Sequence, residues 1–356
     1  MRLSSTFDLL GPVMVGPSSS HTAGALRIAR VAGLLCAGPV SHVTFTLYNS
    51  FAQTYRGHGT DRALVAGMLG LAADDPRIRD AFDLAREQGL GWDFAVVASE
   101  PDLHPNTVDV EAACTDGTLT RVRGASVGGG RVRIDRVNGV DVSITGRMPT
   151  LIVEHRDVCG MLGAMTGLLG DEGVNIAFMS SYRTGPGGLA YAVFETDTPV
   201  SAPAVAALRA IPDVSAVHAV NIPGAAPAPA GFRSAYDFAS AAELLAVCDV
   251  RGCSLGAAMR LRETDLRGAN ESAGLMGRVA QVMRDETAGP LAAPRRSLGG
   301  FIGGEAARVA GTLGTPTERL SGPVQTRAVA YALATLERSA AMGVIVAAPT
   351  AGSAGV

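Results

Sequence analysis

Between residues 149 and 222 the apolar residues change period four times, and the order of those changes leaves few folds open. Residues 150–155 read as a strand. Residues 160–171 read as a helix with Met161, Leu162, Met165, Leu168 and Leu169 on one face. Two paired strands follow, 174–182 and 189–196, around the turn Gly185-Pro186-Gly187-Gly188. A second helix (204–211) and a last strand (214–222) complete a βαββαβ order. That order predicts a split βαβ sheet with both helices on one face.

The flanks differ from this centre. Residues 1–145 read as mixed α/β, with a strand at 43–51, a helix at 60–71 behind Gly57-His58-Gly59, and a strand at 94–99. Two hairpins are expected, turning at Asp116-Gly117 and Asn138-Gly139. The Pro/Ala/Gly stretch 223–231 reads as a linker. Beyond it the pattern is helical, at 235–248, 254–262, 271–285, 303–313 and 326–342. A helix over 241–260 would carry Cys248 and Cys253, five residues apart and poorly aligned on one face. The expected fold class is α+β and multidomain. It comprises a mixed α/β region (1–147), a ferredoxin-like βαββαβ region (148–222), the linker, and an incomplete all-α region (232–356).

Composition narrows the chemistry. The chain has 356 residues, 47% of them hydrophobic, and a net charge of −3, so neither nucleic acid nor a membrane surface is an expected partner. No apolar run reaches about 18 residues and no leader pattern is visible, which points to the cytoplasm. All 30 basic residues other than histidine are arginine. A pyridoxal phosphate Schiff base needs a lysine amine, so this chain cannot form one. The five cysteines are scattered and odd in number, unlike a disulfide framework, and read as small buried hydrophobes.

The run Gly16-Pro17-Ser18-Ser19-Ser20-His21-Thr22-Ala23-Gly24 holds the densest chemistry. Gly-Pro favours a turn, and Ser20 or a neighbour can cap a helix over 23–36. Hydroxyls, an imidazole and free N–H groups at a helix start suit a carboxylate or phosphate. A well-capped helix with spare serines is the plainer alternative, but four hydroxyls around one histidine exceed what a cap requires.

This run, together with Tyr55-Arg56-Gly57-His58-Gly59-Thr60-Asp61, resembles the β domain of the iron–sulfur L-serine dehydratases. Residues 149–222 resemble an ACT domain, through His155-Arg156-Asp157, Gly160-Met161-Leu162 and Val174-Asn175-Ile176. Leu320-Ser321-Gly322-Pro323 and the end of the chain, Ala348-Pro349-Thr350-Ala351-Gly352-Ser353-Ala354-Gly355, resemble the start of that family's α domain. In the family, three cysteines beyond this last loop hold a 4Fe–4S cluster. No cysteine here matches them, so the cluster ligands are expected outside this chain.

The resemblance implies deamination of L-serine to pyruvate and ammonia, in serine catabolism and gluconeogenesis. An open iron site would act as the Lewis acid on the hydroxyl. Ser18, Ser19, Ser20, His21 and Thr22 would line the substrate pocket. His58 and His21 would handle protons, with Asp61 orienting an imidazole. Thr350, Gly352 and Ser353 would hold the carboxylate through backbone N–H groups. For an ACT effector, Asp157, Gly160, Met161 and Asn175 are the expected contacts, and a homodimer through the ACT and β regions is implied. A purely structural ACT module, a serine-binding regulatory subunit that needs a separate cluster-bearing α chain, and a free-standing effector sensor stay open beside this reading.

Overall fold

The computed structural model describes residues 5–146, 148–221, 234–317, 322–348 and 351. The expected linker at 223–231 lies outside them. The chain divides into two compact units: Ser18–Gly224 is inserted between Met1–Pro17 and Ala225–Val356, which together make the second. The first strand, β1 (Val13–Val15), belongs to the flanking unit.

The inserted unit begins with a π-helical turn over Ser19–Gly24 that leads into α1 (Ala25–Leu34). Then come β2 (Val40–Tyr48), α2 (Asn49–Thr54), α3 (Thr60–Met68), α4 (Ala81–Glu87) and β3 (Gly91–Val97). Four antiparallel strands follow: β4 (Thr107–Cys114), β5 (Leu119–Gly128), β6 (Arg131–Val137) and β7 (Val140–Ile144). The sheet order is β3-β2-β4-β5-β6-β7. Only β2 and β3 are parallel, with α3 and α4 in the crossover between them.

Alternation in sequence decides which face is covered. Val43, Phe45 and Leu47 of β2 and Val108, Val110 and Ala112 of β4 are all buried. α1 lies on this side, where Gly124 of β5 leaves room for Ile28: a Cβ there would stand 2.6 Å from Ile28 Cγ2. α3 packs along α1. Polar partners occupy the other positions of the strands, with the Arg123 guanidinium donating to both Asp109 oxygens at 2.6 Å.

The expected strand 43–51 stops at Tyr48 because Asn49 turns left-handed, with φ 51°. The Asn49 side chain offsets that strain by pinning the loop before β4. Its Oδ1 accepts the Glu100 N–H at 2.6 Å, and its Nδ2 donates to the Glu100 carbonyl at 2.9 Å. The strand expected at 94–99 instead starts at Gly91, in register with β2. Both hairpins form, with positive φ at Gly117, Asn138 and Gly139.

The centre of the chain folds as β8 (Thr150–Arg156), α5 (Met161–Asp171), β9 (Ile176–Arg183), β10 (Leu189–Thr196), α6 (Ala202–Arg209) and β11 (Val214–Val220). The antiparallel order β11-β8-β10-β9 is the ferredoxin-like one expected from the pattern. Met161, Met165 and Leu169 of α5 and Leu208 of α6 pack with Leu151, Val153, Phe194 and Val217 of the strands.

The flanking unit is helical: α7 (Ala241–Arg251), α8 (Leu255–Arg267), α9 (Ala269–Ala292), α10 (Glu305–Ala310) and α11 (Gly322–Ala340). One helix over 241–260 does not form. Gly252, at φ 61°, ends α7, and the Ser254 hydroxyl caps α8 by accepting the Ala257 N–H at 3.3 Å. A last strand, β12 (Val344–Val346), pairs antiparallel with β1. Three buried carboxylates fasten backbone here. Glu263 accepts from the Ser5 hydroxyl and the Thr6 N–H, each at 2.7 Å. Glu286 accepts the Val346 N–H at 3.0 Å. Glu337 accepts the Gly304 and Ala306 N–H groups at the start of α10. Among the described residues no helix is long and apolar enough to cross a membrane.

Candidate active site

Ser18, not Ser20, is the helix cap. Its backbone is extended (φ −145°, ψ 122°), and its hydroxyl accepts the His21 N–H at 3.0 Å. The Ser18 carbonyl takes the N–H groups of Thr22 at 2.9 Å and Ala23 at 3.4 Å, which opens the turn to π geometry. Gly24 lets this turn approach β5, because a Cβ there would lie 2.1 Å from Ser126 Oγ. Ser19 and Thr22 are buried.

The turn aims His21 inward and occupies both of its ring nitrogens. Nδ1 lies 3.0 Å from Ser20 Oγ and 3.3 Å from Ser18 Oγ. Nε2 lies 2.9 Å from Ser50 Oγ at the start of α2. The ring meets Phe51 edge-on at 5.3 Å and lies 4.7 Å from the His58 ring, tilted by 35°. Burial, and then the neighbouring His58, push the His21 pKa down from its ordinary 6.5 to about 4.

His58 sits on the loop before α3. Its N–H donates to the Thr54 carbonyl at 3.1 Å, and its own carbonyl accepts the Thr22 hydroxyl at 2.9 Å. His58 does not cap α3; Gly59, at φ 63°, takes that position. Its buried Nδ1 has no partner among the described residues. Burial lowers its pKa against an opposing hydrogen bond with Thr54. The site therefore holds two neutral imidazoles side by side near neutral pH. One is fully engaged, and one has a free ring nitrogen.

Asp61 stands in the first turn of α3 and is more buried than a typical carboxylate, which raises its pKa. It accepts the Arg62 N–H at 2.8 Å and makes no hydrogen bond to an imidazole. Thr350, Gly352 and Ser353 lie outside the described residues. Sequence reasoning missed Ser50. The strand expected through residue 51 would have placed it in a sheet, and the Tyr48-Asn49 turn signal was the available clue.

The depressed pKa of His21 gives stability a pH dependence of known sign. The unfolded imidazole takes its proton near 6.5 and the folded one near 4, so between these values the unfolded chain binds more protons. This contribution is present above 6.5 and is lost as the pH falls through that window toward 4. The urea midpoint of the wild-type protein should therefore fall more steeply over this window than that of His21→Gln. Equal slopes would show that His21 is not held neutral.

A second concavity lies at the start of α5. It encloses about 180 Å³ and is lined by His155, Asp157, Val158, Gly160, Met161, Leu162, Gly163 and Ser181. Three of the expected effector contacts, Asp157, Gly160 and Met161, are among these. Asn175 is not; its side chain donates to Asp197 Oδ2 at 2.6 Å. His155, quoted in the ACT motif but given no role there, has Nδ1 2.8 Å from the Arg156 carbonyl, while its buried Nε2 is without a partner among the described residues. The Arg183 guanidinium donates to Asp157 at 2.8 Å.

All five cysteines are free: Cys36 and Cys114 in the mixed α/β region, Cys159 exposed before α5, and Cys248 and Cys253 about the α7–α8 break. Among the described residues no three His, Cys, Asp or Glu side chains come together as a metal site. These residues do not fit the thiolate cage of a 4Fe–4S cluster.

Family models match in three stretches: serine dehydratase beta chain at residues 5–90, ACT domain at 149–213, and serine dehydratase alpha chain at 199–356. The L-serine dehydratase beta chain of Peptoniphilus asaccharolyticus is 38% identical over 197 residues, covering 55% of this chain and 89% of the relative. The probable L-serine dehydratase beta chain of Bacillus subtilis is 36% identical over 214 residues, covering 60% and 96%. L-serine dehydratase TdcG of Escherichia coli is 26% identical over an alignment spanning 99% of this chain and 64% of the relative. The chain thus belongs to the serine dehydratase family and carries its beta, ACT and alpha regions in that order.

Proposed function

We propose that this chain binds L-serine at the His21–His58 site and handles protons in its deamination to pyruvate and ammonia. The observation that carries the reading is the pair of neutral imidazoles 4.7 Å apart beside the Ser18–Ser20 turn. Relatives named L-serine dehydratase support the substrate. The reaction removes the α-proton and the β-hydroxyl, which leave together as water, and the resulting enamine tautomerises to an imine that takes up water to give pyruvate and ammonia. His58 takes the α-proton, since a lowered pKa keeps it in the base form at neutral pH and its Nδ1 has no hydrogen-bond partner among the described residues. His21, bonded at both nitrogens, orients rather than accepts. Ser18, Ser20 and Thr22 shape the turn, Ser19 backs it, and Asp61 secures the start of α3 by accepting the Arg62 N–H. Thr350, Gly352 and Ser353 are proposed to hold the substrate carboxylate.

No step is assigned to a 4Fe–4S cluster, because the described donors do not fit one; its ligands are proposed to lie outside this chain. That misfit favours a second reading, in which the chain is a serine-binding subunit working with a separate cluster-bearing chain. Pyruvate formed from L-serine by this chain alone, after supply of iron and sulfide, would rule the second reading out. The concavity with Asp157, Gly160 and Met161 is proposed as the site of a small amino-acid effector. A second copy is proposed alongside β9, an edge strand that leaves Phe178 and Met179 exposed. Five unpaired thiols suit a cytoplasmic location.

The primary reading is tested by titrating L-serine into the chain while following histidine side-chain resonances. His21 and His58 are expected to shift, and D-serine to be weaker. Unmoved resonances at saturating L-serine would remove the reading.

A further inference from the structure

The far edge of the His21 ring meets a single hydroxyl, that of Ser50, 29 residues along the chain. We infer that Ser50 is a positioning residue which holds His21 as the Nε2–H tautomer and keeps its own hydroxyl proton free for an oxygen of the bound ligand. The inference rests on the reading of His21 and His58 as the serine site and adds a residue to it.

A neutral imidazole carries one N–H and one lone pair. Two hydroxyls converge on Nδ1, from Ser20 at 3.0 Å and Ser18 at 3.3 Å, and they lie 3.3 Å from each other. Ser18 Oγ already accepts the His21 backbone N–H and still has its own proton to give. A crowd of hydroxyl protons suits an acceptor at Nδ1. One continuous order then runs from the His21 backbone N–H to Ser18, on to Ser20, and into Nδ1. The ring proton consequently sits on Nε2, the nitrogen that neutral histidine intrinsically prefers, and is donated to Ser50 Oγ at 2.9 Å.

Ser50 is fixed for this task by its backbone. Its N–H donates to the Pro105 carbonyl at 2.9 Å, and its carbonyl accepts the Thr54 hydroxyl at 2.8 Å. The left-handed turn at Asn49 is what swings it out of the line of β2. Having accepted from His21, the Ser50 hydroxyl has one proton left and no acceptor among the described residues. The carboxylate of a small amino acid supplies such an acceptor.

The test uses the full chain labelled with ¹⁵N-histidine, and the variants Ser50→Ala and Ser50→Thr. Long-range proton–nitrogen spectra of the wild type should show His21 with a bare Nδ1 and a protonated Nε2. In Ser50→Ala the two nitrogen shifts should move toward each other as the tautomers mix, and Ser50→Thr should restore the original pattern. The kcat/KM for L-serine should fall about 3- to 10-fold in Ser50→Ala, the rate equivalent of one hydrogen bond, and recover in Ser50→Thr. A wild-type proton on Nδ1, or an unchanged His21 spectrum in Ser50→Ala, would overturn the inference. If the spectra respond as described but L-serine neither shifts the histidines nor yields pyruvate, the assignment of Ser50 stands and the proposed function falls.

Discussion

Replacing His58 with alanine is expected to lower turnover of L-serine by about 10²- to 10⁴-fold, the usual contribution of a positioned acid or base. The size follows from the division of labour in the site. His21 is bonded through both nitrogens, whereas the His58 Nδ1 is without a partner among the described residues. Its lowered pKa means that the base form is already present at neutral pH. The side chain makes no hydrogen bond that holds the fold; what ties the loop down is the backbone, through Thr54 and the Thr22 hydroxyl. The urea midpoint of His58→Ala should therefore stay close to that of the wild type while kcat collapses. The measurement is kcat for pyruvate formation by the enzyme assembled with this chain. Turnover within about threefold of the wild type, against the range a proton-transfer group commands, would exclude His58 as the base.

Gly67→Ala should destabilise the inserted unit by about 1–3 kcal/mol, the range for overpacking a close contact. A Cβ on Gly67 would stand 2.3 Å from the Leu26 carbonyl oxygen, 2.8 Å from Ala29 Cβ and 3.0 Å from the Arg30 nitrogen. Two of those atoms are backbone of α1, so no side-chain rotation relieves the clash and α3 must move away. In a helix alanine is otherwise better than glycine by about 1 kcal/mol, so the contact alone sets the sign. Gly167, inside α5 with nothing within 4 Å, provides the control: alanine there should raise stability. Urea denaturation of the two variants decides it, and a Gly67→Ala midpoint at or above that of the wild type would refute the close approach. The same shift should reach the site, because the His21 turn runs into α1 and the His58 loop into α3.

Where local chemistry dictates structure, the sequence was readable. The changes of period at 149–222 specify the ferredoxin-like sheet, since each element buries a face that only the others can cover. Asp116-Gly117 and Asn138-Gly139 mark their hairpins because few other pairs accept those backbone angles. Ser18, Ser20, His21 and His58 were visible as candidates beside turns. Long-range or cooperative features were not. β1 and β12 have three residues each, too few for an alternation to register. Ser18 takes the capping role because the π turn begins at Ser19, four residues before the helix expected from residue 23. Asp61 turned to its own helix start, and Asn175 to Asp197, through bonds that spacing alone does not reveal. Ser50 was hidden by a single left-handed asparagine that ends a strand whose apolar pattern would otherwise continue.

The pairing of Val13–Val15 with Val344–Val346 has a consequence for the order in which the chain is made. A ribosome adding about 5–20 residues per second leaves the first strand waiting on the order of tens of seconds for its partner. In that interval the whole of Ser18–Gly224 has emerged and can fold on its own contacts, with the imidazole pair already assembled. The flanking unit closes last. The nascent protein therefore passes through a stage in which the His21–His58 pair is built while the strand Val13–Val15 still exposes Met14 and Val15, both fully buried once β12 pairs with it. A holdase that recognises short apolar segments would find its target in that strand until its partner at Val344–Val346 is made.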